Sequence, residues 1–313
     1  MNAMAVQMPE SEREHDNPDQ DPEAAELDPE SGPALRDSVP PVLHPLVGLV
    51  LWAWTTLLGS IGTFGRFVLL AGDSVYGLVR DAAKLRHPWR ETLTQAWFMM
   101  SVSGWPAILI SVPLGAIIQI QAGSLAAQVG ATSQAGAAGG LGVIRQAAPM
   151  ISGILMGGAV GAAVAADLGA RKIREEIDAI RTLGINPNHR LVAPRLAAMF
   201  LVGPLMCILV VFVGMSTIYT MTLVQGGVPG AFFNSFAAFS STTDLIIAVI
   251  KTTVFGILVV LVASQRGFEA SGGPKGVADC VNATVVLGVM ITFAANVLIT
   301  QLLTIWFPES GGI

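Results

Sequence analysis

Long uncharged apolar runs are the feature that most constrains how this chain can fold. A helix needs about 20 mostly apolar residues to cross a bilayer, so each such run is a candidate span. Four runs reach or approach that length: 96–121, 146–166, 196–243 and 280–308. The third is too long for one helix, and the turn residues of "VQGGVPG" end it near Leu223. With a further helix at about 243–265, the sequence predicts five spans.

Composition supports an integral membrane protein. The 313 residues have a mean hydropathy of +0.63 and are 52% hydrophobic but only 12% charged. About a quarter of the residues in a soluble domain are charged, so a soluble fold is disfavoured. The two cysteines, Cys207 and Cys280, lie inside apolar runs, which excludes a disulfide framework and a cysteine zinc site. The predicted fold class is therefore all-α and membrane-spanning.

Basic residues alternate between the connections, which predicts an orientation. Lys and Arg precede the first span and lie between the second and third and between the fourth and fifth, whereas segments 122–140 and 225–243 have none. Cytoplasmic loops are enriched in Lys and Arg. We therefore expect a plasma (inner) membrane protein with a cytoplasmic N-terminus and a C-terminus on the outer side.

Three regions are expected along the chain. Residues 1–41 hold half of the 22 acidic residues and little that could be buried, which predicts a disordered cytoplasmic tail without the features of a secretory signal. Residues 42–90 are predicted to form interfacial or elbow helices, and residues 91–313 the five-span domain. Segment 42–72 is also apolar enough to span, in which case the tail would lie outside; we favour the interfacial reading.

One charged stretch, "DLGARKIREEIDAIRTLGINP" at 167–187, separates the second and third spans. At helical spacing, Ile173, Ile177, Ile180 and Gly184 share one stripe, which predicts an amphipathic cytoplasmic helix at 171–184. It could rest on lipid headgroups, but a helix on an anionic surface usually has a mostly basic polar face. Its charges of both signs favour docking on a soluble partner instead.

The segment "ADLGARKIREEIDAIRTLGINPNHRLVAPR" resembles the signature of the MlaE/YrbE permeases. The similarity continues through "TFGRFVLL", "IKTTVFGILV" and "GGPKGVADCVNATVV", and so covers nearly everything after about residue 60. Asn186 replaces the usual Asp, which suggests a weaker contact there. The second span lacks an Arg that many relatives have, and "ADCVNATVV" is less basic than usual. With the acidic tail, these departures resemble the A-type YrbE subunits of actinobacterial Mce systems.

The resemblance implies a subunit of an ABC-type transporter that moves a hydrophobic lipid, such as a fatty acid, sterol or mycolic acid, with import favoured. It implies an interfacial helix before five spans. It also implies these partners: a separate ABC ATPase that binds ATP and magnesium, a second YrbE-type chain, and Mce-domain proteins. No cofactor on this chain and no nucleic acid are expected. The residues expected to contact the ATPase are Arg174, Glu175, Glu176, Ile177, Asp178, Arg181, Leu183 and Gly184.

Motifs for chemistry are absent from the sequence. It contains no G-x-x-x-x-G-K-[ST], and "SGGPKG" at 271–276 lacks the spacing and the hydroxyl residue of a phosphate-binding loop. H-E-x-x-H and G-x-S-x-G are also missing. We therefore expect no enzymatic activity in this chain. Two other functions stay open: an autonomous secondary carrier, and a membrane scaffold that transports nothing.

Two further groups of residues are candidates for function. Small residues recur every fourth position in the second span, which predicts close helix packing, as a subunit contact, a moving seam or a contact within the monomer. They are Gly153, Gly157, Gly161, Ala165 and Gly169. Lys251 is interpreted as the one charge well inside a span, two turns from Asp244 and on the same face. It is predicted either to lie on the lipid pathway or to be a packed or snorkelling side chain.

Overall fold

A computed structural model describes residues 65–78, 80, 89–131 and 134–306, all within one compact unit of residues 62–313. These residues form helices and turns, and no β-strand occurs among them. The predicted acidic tail and the first part of the predicted interfacial segment lie outside the described residues. The helices are α1 (65–78), α2 (Trp89–Gln128), α3 (Ala135–Ile173), α4 (Glu176–Thr182), α5 (Asn188–Val224), α6 (Pro229–Phe239), α7 (Thr242–Phe268) and α8 (Pro274–Trp306).

Five of these helices, α2, α3, α5, α7 and α8, are long and apolar enough to cross a membrane. The shortest, α7, has 27 residues, or about 40 Å at 1.5 Å per residue, which exceeds the ~30 Å of a bilayer core. The predicted all-α membrane fold and its five spans are confirmed. Each of the five begins before its predicted run, because a helix continues through charged residues until a turn residue or a cap ends it.

The capped start of α7 illustrates how the sequence ends a helix. The Ser241 hydroxyl accepts a hydrogen bond from the Thr243 N–H, and the Asp244 carboxylate accepts one from the Ser241 N–H. This reciprocal capping box satisfies two backbone donors that the first turn leaves without partners. The start of α7 is therefore fixed by Ser241 rather than by the limits of its apolar run.

Helix α3 is the most buried of the five long helices. In its most apolar window 61% of the residues are buried, against 17% in α2 and in α8. It packs against α7 and α8, while α2 lies along α5. Two π-helical segments, Val143–Ala147 and Met156–Val160, interrupt α3. A displacement of α3 would therefore disturb contacts with most of the other spans.

The sequence does not predict helix α6, because the turn residues at 224–230 and the lack of Lys and Arg in 225–243 indicate a turn and a connection. Pro229 stands in its first turn, where the fixed φ of proline suits a helix start. Phe232 and Phe236, spaced i to i+4, lie on one face and pack on α3. The short helix is thus stabilised by contacts with a glycine-rich segment that is remote in sequence.

The two ends of the helix bundle differ in charge. We call residues 167–195 and 264–279 the charged end; they include α4 and the connection from α7 to α8. We call residues 122–144 and 222–243 the uncharged end, because they contain no Asp, Glu, Lys or Arg. Helix α1 contacts the charged end, where Arg66 pairs with Glu269 at 3.2 Å.

Candidate functional site

The charged stretch after the second span is not one helix. α3 ends at Ile173, and α4 begins only at Glu176. Between them Glu175 has φ of 60°, a left-handed conformation that is unfavourable for a residue with a side chain. The uninterrupted helix predicted at 171–184 is therefore wrong. No glycine or proline marks the break in the sequence, so tertiary packing must impose it.

The apolar stripe predicted for a partner is only partly accessible. Ile177 is fully buried within this chain, and Ile173 and Ile180 are half-buried. Ile177 therefore anchors α4 to its own protein, which corrects its prediction as a partner contact. The exposed apolar side chains lie after α4: Leu183 is 75% exposed and Ile185 is 47% exposed. Between them Gly184 has φ of 74°, the left-handed conformation that ends α4.

Most charges of α4 pair with neighbours in the same chain. Asp178 accepts hydrogen bonds from Lys172 Nζ at 2.7 Å and Arg181 Nη1 at 3.2 Å. The hydrogen bond from Lys172 is the main cause of a lowered pKa at Asp178. Glu176 accepts a hydrogen bond from Arg174 Nε at 2.8 Å. Glu175 is exposed, and its carboxylate has no ion pair within the described ranges. Glu175 and Leu183 are therefore the predicted residues most available to a partner.

An ion pair that the sequence reasoning did not identify connects the helices on either side of α4. Arg195 of α5 pairs with Asp167 of α3 and donates a second hydrogen bond to the Leu191 carbonyl. The Arg195 side chain is only 3% exposed. Asp167 also pairs with Arg171 at 3.2 Å. Both ends of the segment that carries α4 are therefore held together. Asp167 and Arg195 are 28 positions apart, so the sequence alone does not identify them as a pair.

Helix α1 is attached to the connection that follows α4. The Asp73 carboxylate accepts hydrogen bonds from the amides of Asn186 at 2.9 Å and Asn188 at 2.8 Å, and lies 3.0 Å from His189 Nε2. The hydrogen bond from Asn188 is the main cause of a lowered pKa at Asp73. The expectation that Asn186 weakens a contact is corrected here. Its amide donates to Asp73, which an ionised Asp at position 186 would repel.

The small residues of α3 pack within the monomer. All five are buried, and a methyl group added at Gly157 would lie 3.1 Å from backbone atoms of Gly288 and Val289 in α8. One added at Gly161 would meet Val259 and Thr284 at 3.2 and 3.3 Å. The alternative of a contact with another subunit is therefore wrong for this stripe. α3 and α8 approach closely because both carry glycine at the same level.

Lys251 and Asp244 do not pair with each other. Asp244 forms a two-pronged ion pair with Arg145 of α3, at 2.9 and 3.3 Å. Lys251 is buried and donates a hydrogen bond to Thr300 Oγ1 at 2.9 Å. Arg145 also lies within the long helix α3, but it meets the first turn of α7, at an end of that span, so the interpretation of Lys251 as the one charge well inside a span stays a prediction. The apolar runs were delimited by charges, and this rule placed Arg145 outside the second span.

Comparison with known proteins supplies a family. The profile described as "Permease MlaE" matches residues 92–302, which include the five spans except the first three residues of α2 and the last four of α8. A probable ABC transporter permease protein of Synechocystis is 29% identical over 221 residues, covering 68% of this chain and 82% of that protein. One of Rickettsia typhi is 29% identical over 250 residues, covering 78% and 92%. The Arabidopsis thaliana protein TRIGALACTOSYLDIACYLGLYCEROL 1, chloroplastic, is 28% identical over 237 residues, covering 74% and 66%.

Proposed function

Because the chain belongs to the MlaE family of permeases, we propose that it is the membrane subunit of an ATP-driven lipid transporter whose ATPase is a separate chain. The observation that carries this proposal is the geometry of the charged end. A short helix, α4, is anchored by buried Ile177 and leaves Glu175 and Leu183 exposed beside it. The sequence has no phosphate-binding loop, so the energy of ATP hydrolysis must enter from a partner.

The connections of α4 suit the transmission of a movement into the membrane. Lys172, in the last turn of α3, pairs with Asp178 of α4, and Asp167 further along α3 pairs with Arg195 of α5. A partner that displaces α4 would therefore move α3 and α5 together. α3 in turn contacts α7 and α8 along its length. Coupling of this kind requires contiguous packed elements, which α3 provides.

The stripe of small residues gives a test of this transmission. Gly157→Ala adds a methyl group against the α8 backbone, whereas nothing lies within 4 Å of one added at Gly158. If α3 and α8 move as one unit, Gly157→Ala should lower ATP-dependent lipid transfer in reconstituted vesicles and Gly158→Ala should not. Equal lipid transfer by both variants would contradict a role for the contact between α3 and α8 in transport.

The charged groups of Arg145, Asp244 and Lys251 are candidates for the lipid pathway. Lys251 has no acidic partner in the parts of the chain that the structure describes, whereas Arg145 and Asp244 neutralise each other. An ionisable group inside a span is a functional candidate by default. Lys251→Met should reduce transfer of an anionic lipid, while the exposed Lys275→Met should not. Normal transfer of the anionic lipid by Lys251→Met would indicate that Lys251 serves only in packing.

We also propose the finer identity that the sequence suggests. The chain would be an A-type YrbE subunit of an Mce system, pairing with a second YrbE-type chain and with Mce-domain proteins. It would import a fatty acid, sterol or mycolic-acid-like lipid through the plasma membrane, with its N-terminus in the cytoplasm. The support is the reduced positive charge in the second and last spans together with the acidic N-terminal segment. Identification of the proteins that copurify from native membranes tests these partners.

The first experiment targets Leu183, because its side chain is the most exposed apolar group near α4. The tagged chain is purified from its native membrane as wild type, Leu183→Arg and Leu183→Met, and copurifying proteins are identified by mass spectrometry. We expect an ABC ATPase with wild type and Leu183→Met and its loss from Leu183→Arg. Lipid transfer without any ATPase would favour a secondary carrier. An ATPase that is retained by Leu183→Arg would contradict docking at this surface.

A further inference from the structure

The side chain of Asn186 is fully engaged at the point where α5 begins. Its Nδ2 donates to Asp73 Oδ2 of α1 at 2.9 Å, and its Oδ1 accepts a hydrogen bond from the Asn188 N–H at 3.0 Å. The Asn188 side chain donates to the same oxygen of Asp73 at 2.8 Å. We call these three hydrogen bonds the Asp73 triangle. The triangle fixes the orientation of Asn186, because both the oxygen and the nitrogen of its amide are used.

Asp73 also contacts the connection through its second oxygen. Asp73 Oδ1 lies 3.0 Å from His189 Nε2, and the His189 side chain is only 23% exposed. A methyl group added at Gly77, one turn after Asp73, would lie 2.9 Å from the His189 imidazole. Glycine at 77 therefore allows α1 to lie directly on His189. One carboxylate of α1 thus contacts three side chains between positions 186 and 189.

The apolar side chains proposed to meet the ATPase stand directly before the Asp73 triangle. Leu183 and Ile185 are 75% and 47% exposed, and residues 183–186 lie outside the helices. Between them Gly184 has φ of 74°, and nothing lies within 4 Å of a methyl group added there. Glycine is the most conformationally permissive residue, so Gly184 itself does little to fix the direction of Leu183. The hydrogen bonds of Asn186 restrict the connection from its other end.

The position of α1 does not depend on Asp73 alone. Its apolar side chains pack on the hydrophobic core; they are Phe67, Leu70, Ala71 and Leu78. Arg66 pairs with Glu269 at 3.2 Å, about 10 Å along the helix from Asp73. The Arg66 side chain is 61% exposed, so this pair is expected to add little stability. Helix α1 is therefore held by apolar packing, and Asp73 is the charged group through which it binds the connection.

We propose that Asp73 is a positioning residue for the docking of the ATPase. It holds the connection at 186–189, and thereby sets the direction of Leu183 and Ile185, without contacting the partner itself. Its oxygens can only accept hydrogen bonds, which matches the two amide donors of the Asp73 triangle. The inference rests on the proposed function. It adds a residue outside the docking surface on which the affinity for the ATPase depends.

Retention of the ATPase tests the proposal. The tagged full-length chain is purified from its native membrane as wild type, Asp73→Ala, Asp73→Asn and Arg66→Ala, and quantitative mass spectrometry gives the ratio of ATPase to chain. In Asp73→Ala the connection must be ordered on binding, so we expect this ratio to fall by up to roughly tenfold. Asp73→Asn keeps an oxygen that can accept from both amides and should stay close to wild type. Arg66→Ala removes the pair with Glu269 but leaves the Asp73 triangle intact, and should also stay close to wild type.

A spin label shows whether the effect acts through the connection. Leu183→Cys is labelled with a nitroxide in the purified full-length chain after removal of the ATPase; the chain's own Cys207 and Cys280 are buried. Asp73→Ala should increase the mobility of this label, and Asp73→Asn should not. The same label at the exposed Ser216 of α5 should respond to neither substitution. A lower ATPase ratio with unchanged mobility at position 183 would overturn the proposal, because Asp73 would then contact the partner directly.

The remaining outcomes separate this inference from the proposed function. Wild-type retention of the ATPase by Asp73→Ala would overturn the inference and leave the proposed function intact. An equal loss in Arg66→Ala would also overturn it, because the effect would then belong to α1 as a whole. If Asp73→Ala does not fold, Asn188→Ala takes its place; it removes one donor of the Asp73 triangle without altering α1 and should lower the ratio in the same direction. Absence of the ATPase from wild type would instead contradict the proposed function.

Discussion

The charged and uncharged ends are built by different physical means. At the charged end, helices α1, α3, α4 and α5 are connected by ion pairs and by hydrogen bonds to carboxylates. At the uncharged end, α3 and α6 are connected by phenylalanine rings on glycines. The strength of exposed charge pairs depends on salt and pH, whereas the packing of phenylalanine rings on glycines does not. The charged end should therefore be sensitive to ionic conditions, and the uncharged end to the volume of its side chains.

The largest loss of stability is expected from Gly136→Ala, at the uncharged end. The added methyl group would lie 2.5 Å from Phe232, a ring that is almost fully buried. Overpacking of this kind costs about 1–3 kcal/mol. We expect the free energy of unfolding, measured by SDS titration in detergent micelles, to fall by about 2–3 kcal/mol, equally at low and high salt. Gly142→Ala is the control, because its nearest neighbour would be an ordinary 3.6 Å away.

A slightly smaller effect is expected from Asp167→Ala at the charged end. It leaves the buried Arg195 guanidinium without its carboxylate, and breaking a buried pair from one side costs several kcal/mol. Asp167 is 38% exposed, so water can partly replace it, and we expect about 2 kcal/mol in the same SDS titration. Arg195→Met removes the buried charge itself and should lower the free energy of unfolding by less than Asp167→Ala does. A larger loss in Arg195→Met than in Asp167→Ala would show that the packing of Arg195 outweighs its charge.

Sequence patterns predicted the spans much better than the contacts between them. Apolar run length and turn residues are local, and they sufficed for the five spans, whereas the single helix predicted at 171–184 is divided in the structure. The break at Glu175 and the inward direction of Ile177 are set by tertiary packing, which no local signal reports. Arg145 and Asp244 are 99 positions apart, and Asp73 and Asn188 are 115 apart. Partners at such separations cannot be identified from one sequence.

An intermediate effect is expected from Asn186→Asp. The substitution replaces a hydrogen bond of 2.9 Å to Asp73 by two facing carboxylates, which should cost about 1 kcal/mol in the SDS titration. Asp73→Asn in the same chain restores a donor and an acceptor and should recover part of the loss, as a double-mutant cycle would report. Asn234→Asp is the matched change on the exposed surface of α6 and should stay within about 0.5 kcal/mol. Absence of coupling between positions 73 and 186 would contradict the contact.

The smallest effect is the pH dependence of the attachment of α1. The pKa of Asp73 is lowered in the folded protein, chiefly by the hydrogen bond from Asn188, so its contribution to stability is fully present above the unfolded pKa of about 3.9. This contribution is lost as pH falls through the pKa of Asp73 in the folded protein, and α1 should loosen only below about pH 4.

Hydrogen exchange of the α1 amides measures this loosening directly. Asp73→Asn should remove the dependence, and His189→Gln shows how much the imidazole contributes. The amides of α6 at the uncharged end should show no matching change, because no carboxylate among the described residues binds α6. Equal loosening of α1 and α6 on acidification would mean that the whole bundle unfolds, and that the two ends do not respond independently.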